Sequence, residues 1–145
     1  MNKSEFLDEM RMEVGRAPDV AVSLHDFYIK VLQTFEFKWN FCEMTAIYEN
    51  NWDHFHVITL HEKEQEKVVT LQESPVVHCA IHGKTTSYFT IDSTYLFVPF
   101  YLSSLLKGIL VLKVRPERYV MQEEDVAFLN EVSRFLGAAS ADFLT

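Results

Sequence analysis

The segment Thr94–Arg115 constrains the fold of this chain more than any other part of the sequence. It contains two apolar runs, Tyr95–Leu102 and Gly108–Val114, separated by a short region with two consecutive serines. Large apolar residues occupy consecutive positions in both runs, which indicates strands that are buried on both faces. The sequence therefore predicts two strands, joined by a tight turn, inside a sheet that has packed layers on either side.

Helical periodicity is found mainly near the two ends of the chain. Within residues 1–36 it predicts two amphipathic helices, one over Lys3–Val14 and a second that begins at Pro18 after a break. Because the first helix is short and detached, we expect it to pack against a second copy of the protein rather than against its own core. A long closing helix is predicted from about Gln122 to Phe143, where the apolar stripe is most regular.

Between these helices the pattern changes to that of strands. One short helix, residues 75–83, is predicted to interrupt them and to end at Gly83, since glycine commonly follows the last helical residue. The other segments with strand patterns are Trp39–Tyr48, Trp52–Leu60, Val68–Leu71 and Lys84–Ile91. Together with the two apolar runs they predict an α+β fold whose antiparallel sheet has about six strands, with the helices gathered on one face.

Composition limits the classes of partner and compartment. The formal net charge is −8, which disfavours nucleic acid and anionic membranes as partners. No apolar run reaches the length that spans a membrane, and the N-terminus does not resemble a signal peptide. The two cysteines do not form a C-x-x-C pair. We therefore expect one domain over residues 1–145, located in the cytoplasm.

Several motifs in a fixed order resemble those of GAF domains. VPF at Val98–Phe100, followed by GILVL at Gly108–Leu112, is similar to the core hairpin of that family. EED at Glu123–Asp125 resembles the acidic start of the family's last helix, and HGK at His82–Lys84 resembles the region after its short helix. The resemblance covers residues 39–144. It implies a PAS-like (profilin-like) α+β fold with the two N-terminal helices and the long C-terminal helix on one face, and it implies a homodimer.

The sequence also departs from specialised members of that family. The connector Gln72–Ser74 is brief where cyclic-nucleotide-binding and chromophore-binding members carry longer segments. The N-K-F-D-E motif of the cyclic-nucleotide phosphodiesterases is absent, as is the region before the chromophore-attaching cysteine of phytochromes. The sequence thus indicates neither of these ligands and names no cofactor.

Two groups of side chains are candidates for binding. The first comprises His78, Cys79 and His82 on the short helix, where His78 and His82 are four residues apart and share a face, and Cys79 is three residues before His82. These side chains can bind a zinc ion, present an imidazole ring to a haem iron or bind an organic ligand. The alternative is that they have no binding role, since a buried cysteine beside two surface histidines gives the same pattern. We assign them to ligand binding and name no metal site. His54, His56 and His61 offer a second, similar choice between a metal ion and an exposed surface.

Aromatic residues on the strands form the other candidate group. Trp39, Phe41, Tyr95, Phe97 and Phe100 line or back the sheet, either as core or as an apolar pocket for a small ligand. We include Phe41, Tyr95 and Phe97 among the ligand-binding residues.

Enzymatic activity is not expected. The resemblance to GAF domains implies one enzymatic option, the free methionine sulfoxide reductases. Their chemistry needs a nucleophilic cysteine and a resolving cysteine. Here Cys42 lies in an apolar strand and Cys79 in a helix. We therefore expect a non-catalytic regulatory domain that senses a small ligand and signals to a downstream protein through its terminal helices. We also expect this chain to be the sensor portion of a longer signalling protein. The alternative is a ligand-free dimerisation or interaction module with a filled pocket.

Overall fold

The computed structural model describes residues 2–39, 42–61, 68–70, 76–115 and 121–143, and of residues 68–70 and 77 the backbone only. The elements follow the predicted order, which confirms the α+β class. They are α1 (Lys3–Val20), α2 (Leu24–Lys38), β1 (Cys42–Asn50), β2 (His54–Thr59), β3 (Val68–Thr70), α3 (Val76–His82), β4 (Thr86–Phe89), β5 (Thr94–Leu102), β6 (Leu105–Val114), α4 (Glu123–Ser140) and a final 3-10 turn (Ala141–Phe143).

The sheet has six strands in the order β3-β2-β1-β6-β5-β4, and every neighbouring pair is antiparallel. The hairpin β5–β6 lies inside the sheet, as the two apolar runs predict. Its turn contains Ser103, whose φ of 57° is left-handed. In β6, Leu110 and Leu112 face one layer, whereas Ile109 and Val111 face the other. The burial of both faces explains why this strand is apolar at consecutive positions.

Helices α1, α2 and α4 pack on one face of the sheet and form the larger of two apolar clusters, which we call the helix core. Phe27, Tyr28, Phe35, Phe100 and Phe128 are its most deeply buried aromatic members, each at most 1% exposed. Two ion pairs tie α1 to α4 at the rim, Lys3–Asp125 at 2.9 Å and Arg11–Glu131 at 2.8 Å. The predicted placement of these three helices on one face is confirmed.

Helix α3 is the exception, because it packs on the opposite face. Val76 and Cys79 are buried there against Phe97, Ile109 and Val111. We call this side of the sheet the α3 face. A seven-residue helix is too short to be stable alone, so these contacts must hold it in place.

The predicted break between the first two helices is wrong. Helix α1 runs through Gly15 and Pro18 to Val20, and α2 begins after Ser23, whose hydroxyl accepts a hydrogen bond from the Asp26 amide at 3.0 Å. Pro18 lies in the last turn, where its missing N–H removes only one helical hydrogen bond. Burial of Val14 and Ala17 outweighs that loss.

The expectation that the first helix avoids its own core is also wrong. Leu7, Met10, Val14 and Ala17 are each at most 3% exposed and belong to the helix core. Conversely Val20, which the sequence pattern assigns to the stripe of α2, is 63% exposed.

Trp39 is not the first residue of a strand. Its amide donates to the Phe35 carbonyl at 3.0 Å and so closes α2, and its ring packs in the helix core. The first hairpin turns at Asn51–Asp53, where Trp52 has a φ of 74°. No helix in the described part of the chain combines the length and apolar character needed to cross a bilayer.

Candidate ligand site under helix α3

The α3 face is built from alternate residues of four strands. Because side chains alternate across a strand, every second position of β1, β2, β5 and β6 points toward α3. Its buried members on the strands are Ala46, Phe55, Val57, Phe97, Ile109 and Val111, with Tyr48, Tyr95 and Leu106 half-buried at the rim. The face is therefore apolar, with tyrosine hydroxyls at its edge.

Cys79 is at the centre of the contact between α3 and the sheet. Its side chain is fully buried, and its thiol lies 3.6 Å from the Phe97 carbonyl oxygen and 3.5 Å from that of Lys84. Burial raises the pKa of this thiol to about 11. At neutral pH Cys79 is protonated, which makes it a packing residue and a weak nucleophile.

Tyr95 and Phe97 extend the aromatic surface from Cys79 toward strand β4. Their rings are nearly parallel, at an interplanar angle of 14° and 6.3 Å between centres. Tyr88 lies 6.3 Å from the Tyr95 ring, and the Lys113 ammonium group lies 5.8 Å from its centre. The structure thus places the candidates Cys79, Tyr95 and Phe97 side by side on one face.

His78 and His82 point away from this face. Both are exposed, and their rings stack on each other at 5.6 Å with an interplanar angle of 13°. Their predicted role in ligand binding stays a prediction, but they do not line the surface that α3 covers. The remaining candidate, Phe41, lies outside the described residues.

The second group of histidines does not form one site. His54 Nδ1 lies 2.6 Å from Asp53, and His61 Nε2 lies 2.9 Å from Glu36. Glu36 also accepts a hydrogen bond from the Thr45 hydroxyl at 2.7 Å. Each of these two histidines therefore has its own carboxylate. Within the ranges that the structure describes, no three His, Cys, Asp or Glu side chains converge as metal ligands.

The aromatic candidates divide between the two faces. Trp39 stacks on Phe35 at 5.8 Å in the helix core, and Phe100 meets Tyr28 there at 5.9 Å. Of the four aromatic candidates that the structure describes, Tyr95 and Phe97 lie on the α3 face, whereas Trp39 and Phe100 lie in the helix core. The strand register decides this division.

Sequence reasoning missed other residues on the α3 face. Phe55, Val57 and Ile109 line it as fully as Phe97 does. The signal was available in part, because Phe55 and Val57 alternate with the polar residues of β2. Ile109 lies in a run of consecutive apolar residues. Such a run has no alternation of apolar and polar residues, so the sequence does not indicate which face of the sheet each residue occupies.

Helix-side grooves are a second feature that the sequence did not indicate. One, of about 350 Å³, lies between α1 and α2 and is lined by Arg16, Val20, Lys30 and Phe37 among others. Phe37 is 73% exposed there. A large exposed aromatic residue beside a groove marks a candidate contact surface.

Comparison with known proteins connects this geometry to a fold. No protein-family model matches the sequence, and no curated protein matches it. Among solved structures, the GAF domain of an Acinetobacter phosphoenolpyruvate-protein phosphotransferase matches with a TM-score of 0.80 at 17% identity, covering 98% of this chain and 95% of that one. The GAF domain of the same kind of protein from Coxiella burnetii matches with a TM-score of 0.82 at 13% identity, covering 97% and 96%.

An enzyme is also among the similar structures. A type II free methionine-R-sulfoxide reductase from Thermoplasma acidophilum matches with a TM-score of 0.70 at 10% identity, covering 88% of this chain and 96% of that one. At identities this low, structural similarity shows a shared fold only, and function has to be argued from the residues of the site. The chain has the fold of the GAF domains.

Proposed function

We propose that this chain is a non-catalytic regulatory domain that binds a small, mainly apolar ligand at the α3 face. The observation that carries the proposal is the unequal cover of the sheet. Three helices of 18, 15 and 18 residues pack on one face, whereas the described cover of the other is one helix of seven residues. A ligand can tilt α3 more easily than the longer helices, because a helix of seven residues is not stable without its contacts to the sheet.

Strand β5 offers a route by which such a shift reaches the terminal helices. Phe97 lies under α3, while Val98 and Phe100 of the same strand belong to the helix core. Helix α4 approaches β5 closely where Gly137 meets the backbone of Tyr101. A ligand that favours one position of α3 therefore biases the packing of α4, provided that it binds the two arrangements with different affinity.

The state of the thiols supports a role without catalysis. Burial raises the pKa of Cys79 to about 11 and that of Cys42 to about 12, so neither is a thiolate at neutral pH. Both are free cysteines, which supports a reducing compartment such as the cytoplasm. The free methionine-R-sulfoxide reductases share the fold, but thiol chemistry needs an activated cysteine.

The proposal is tested by a fragment screen with two-dimensional NMR on uniformly labelled protein. We expect binding fragments to shift the signals of Cys79, Tyr95 and Phe97 while leaving Leu129, in the helix core, unchanged. A Cys79→Trp variant fills the space under α3 and should abolish those shifts, whereas the Cys42→Ser control should retain them. Fragments that shift only helix-core signals, or none that bind, would refute a ligand site under α3.

A second function, a ligand-free interaction module, is favoured by the tight packing of the same face. Val76, Cys79, Phe97 and Ile109 are each at most 5% exposed, so α3 already fills the space beneath it. In this case native mass spectrometry should show the bare chain with no added mass. A co-purifying small molecule would argue for the sensor instead.

Both functions include a homodimer that contacts a downstream signalling partner through its terminal helices. We assign the self-contact to the groove between α1 and α2, because Phe37 and Val20 are exposed there by 73% and 63%. Phe37→Asp should lower the mass measured by light scattering from dimer to monomer. The matched control is Phe89→Asp, which changes an equally exposed aromatic residue on strand β4. It should leave the measured mass unchanged. An unchanged mass for Phe37→Asp would remove this surface from the interface.

A further inference from the structure

The outer surface of helix α3 carries a feature that the proposed ligand site does not use. His78 and His82 are exposed beside the buried Cys79, and their rings lie nearly parallel with centres 5.6 Å apart. Residues at positions i and i+4 of a helix have Cβ atoms about 5–6 Å apart, so the backbone fixes their separation. Rotation about the side-chain bonds can therefore bring the two rings together without a change of the backbone.

We propose that His78 and His82 form a two-histidine site for a divalent transition-metal ion on the outer surface of α3. Two imidazoles bound to one tetrahedral ion at about 2.0–2.1 Å per bond have ring centres roughly 5 Å apart. The observed separation of 5.6 Å is close to this value, although the two rings are nearly parallel. Because an imidazole nitrogen binds an ion in the plane of its ring, both rings must turn about their side-chain bonds before their nitrogens meet at one ion. This assignment departs from the sequence-based expectation of no metal site.

The chemistry of the site selects the class of ion. Imidazole nitrogen suits Zn²⁺, Ni²⁺ and Cu²⁺, whereas Mg²⁺ and Ca²⁺ require oxygen ligands. Within the described residues no third His, Cys, Asp or Glu joins the pair, so the other coordination positions are open to water or to a ligand in solution. The net charge of −8 on the chain attracts cations of any kind, but only the paired rings distinguish among them.

Metal binding at this site acts directly on α3. An ion bound to both rings joins residues one turn apart in a helix that is too short to be stable alone. The Gly83 amide, which donates to the Cys79 carbonyl at 2.9 Å, closes the same turn and reports on its opening. Because binding favours the folded helix by mass action, hydrogen exchange at Gly83 slows when the ion is bound. This site differs from the ligand site proposed above, since both histidine rings are exposed whereas the α3 face is buried.

Calorimetric titration of the full chain with ZnCl₂ or NiCl₂ at pH 7.5 tests the proposal. We expect one ion per chain, and an affinity lower by about tenfold or more in both His78→Asn and His82→Asn, since each removes a direct ligand. The matched control is His25→Asn, which removes an exposed histidine of α2 that has no histidine one turn away. It should bind like the wild type. All three positions are at the surface, so circular dichroism should show folded variants.

Hydrogen exchange at Gly83 gives a second readout. It should slow on addition of ZnCl₂ in the wild type and in His25→Asn, return to its original rate with a chelator, and stay unchanged by zinc in the double variant His78→Asn/His82→Asn. Equal zinc affinity in the wild type and the double variant would overturn the proposal. So would a wild-type affinity that depends on only one of the two histidines.

Discussion

Two glycines in helices offer a matched test of how closely α4 approaches the sheet. Gly15 lies in α1, where an added Cβ would meet nothing within 4 Å. Gly137 lies in α4, where an added Cβ would overlap the Tyr101 carbonyl oxygen and lie 3.0 Å from the carbonyl carbon. The same substitution by alanine should therefore have opposite effects on stability at the two positions.

The magnitudes follow from helix propensity and packing. Alanine is better than glycine inside a helix by about 1 kcal/mol, which is the full expected gain at the exposed Gly15. At Gly137 the overlap is with backbone, which cannot rotate away, so β5 and α4 must separate. Forced packing of this kind costs about 1–3 kcal/mol, and we expect the upper end, which leaves a net loss of roughly 2 kcal/mol for Gly137→Ala.

Urea and thermal unfolding followed by circular dichroism measure both values. For a chain of this size 1 kcal/mol corresponds to about 3–4 °C in Tm, so Gly137→Ala should melt roughly 6 °C below the wild type and Gly15→Ala about 3 °C above it. A Gly137→Ala protein as stable as the wild type would refute the close contact between α4 and β5. The same result would weaken the route by which α3 is proposed to influence the terminal helices.

Three further predictions concern buried groups. In the folded protein at pH 8, Cys79 should react with a disulfide reagent more slowly than free cysteine, because burial raises its pKa to about 11. In urea it should react at the rate of free cysteine. A faster reaction in the folded protein would contradict its role as a packing residue. Burial raises the folded-state pKa values of Cys79, Cys42 and Tyr28 to about 11, 12 and 12, whereas the unfolded chain releases these protons at lower pH, so the free energy of unfolding should fall between about pH 9 and 12. Urea titrations at alkaline pH check this, and Cys42→Ala should reduce the fall. Asp125→Ala should lower the free energy of unfolding measured in urea by about 1–3 kcal/mol, because the buried carboxylate accepts a hydrogen bond from the Gln122 amide and pairs with Lys3. Lys3→Ala should lower it by less.

Local chemistry was sufficient to predict the elements whose signals lie within a few residues. The hairpin of β5 and β6 follows from consecutive apolar residues, and helix α3 has the predicted bounds Val76–His82. The end of α3 follows from Gly83, whose φ of 65° is easily adopted only by glycine. The proximity of His78 and His82 follows from their spacing alone, since i and i+4 are neighbours on any helix.

Tertiary contacts overrode local signals where burial was stronger. The break predicted at Gly15 and Pro18 does not form, because the apolar stripe continues through Val14 and Ala17 into the helix core. The local sequence predicts that Trp39 begins a strand. In the structure Trp39 follows α2, and its ring packs against Phe35 and Phe128. In both cases the residues join a core that includes side chains distant in sequence, such as Phe128.

The sequence by itself determined the order of the elements and the candidate residues for a binding site, because periodicity, turn chemistry and side-chain type are local properties. Only the tertiary structure decided which of those candidates lie together. It placed Cys79 against Phe97 on the α3 face, moved Phe100 and Trp39 to the helix core, and left the two histidines in solvent. The physical reason is register, since a strand buried on both faces gives no periodic signal for which side of the sheet each residue occupies.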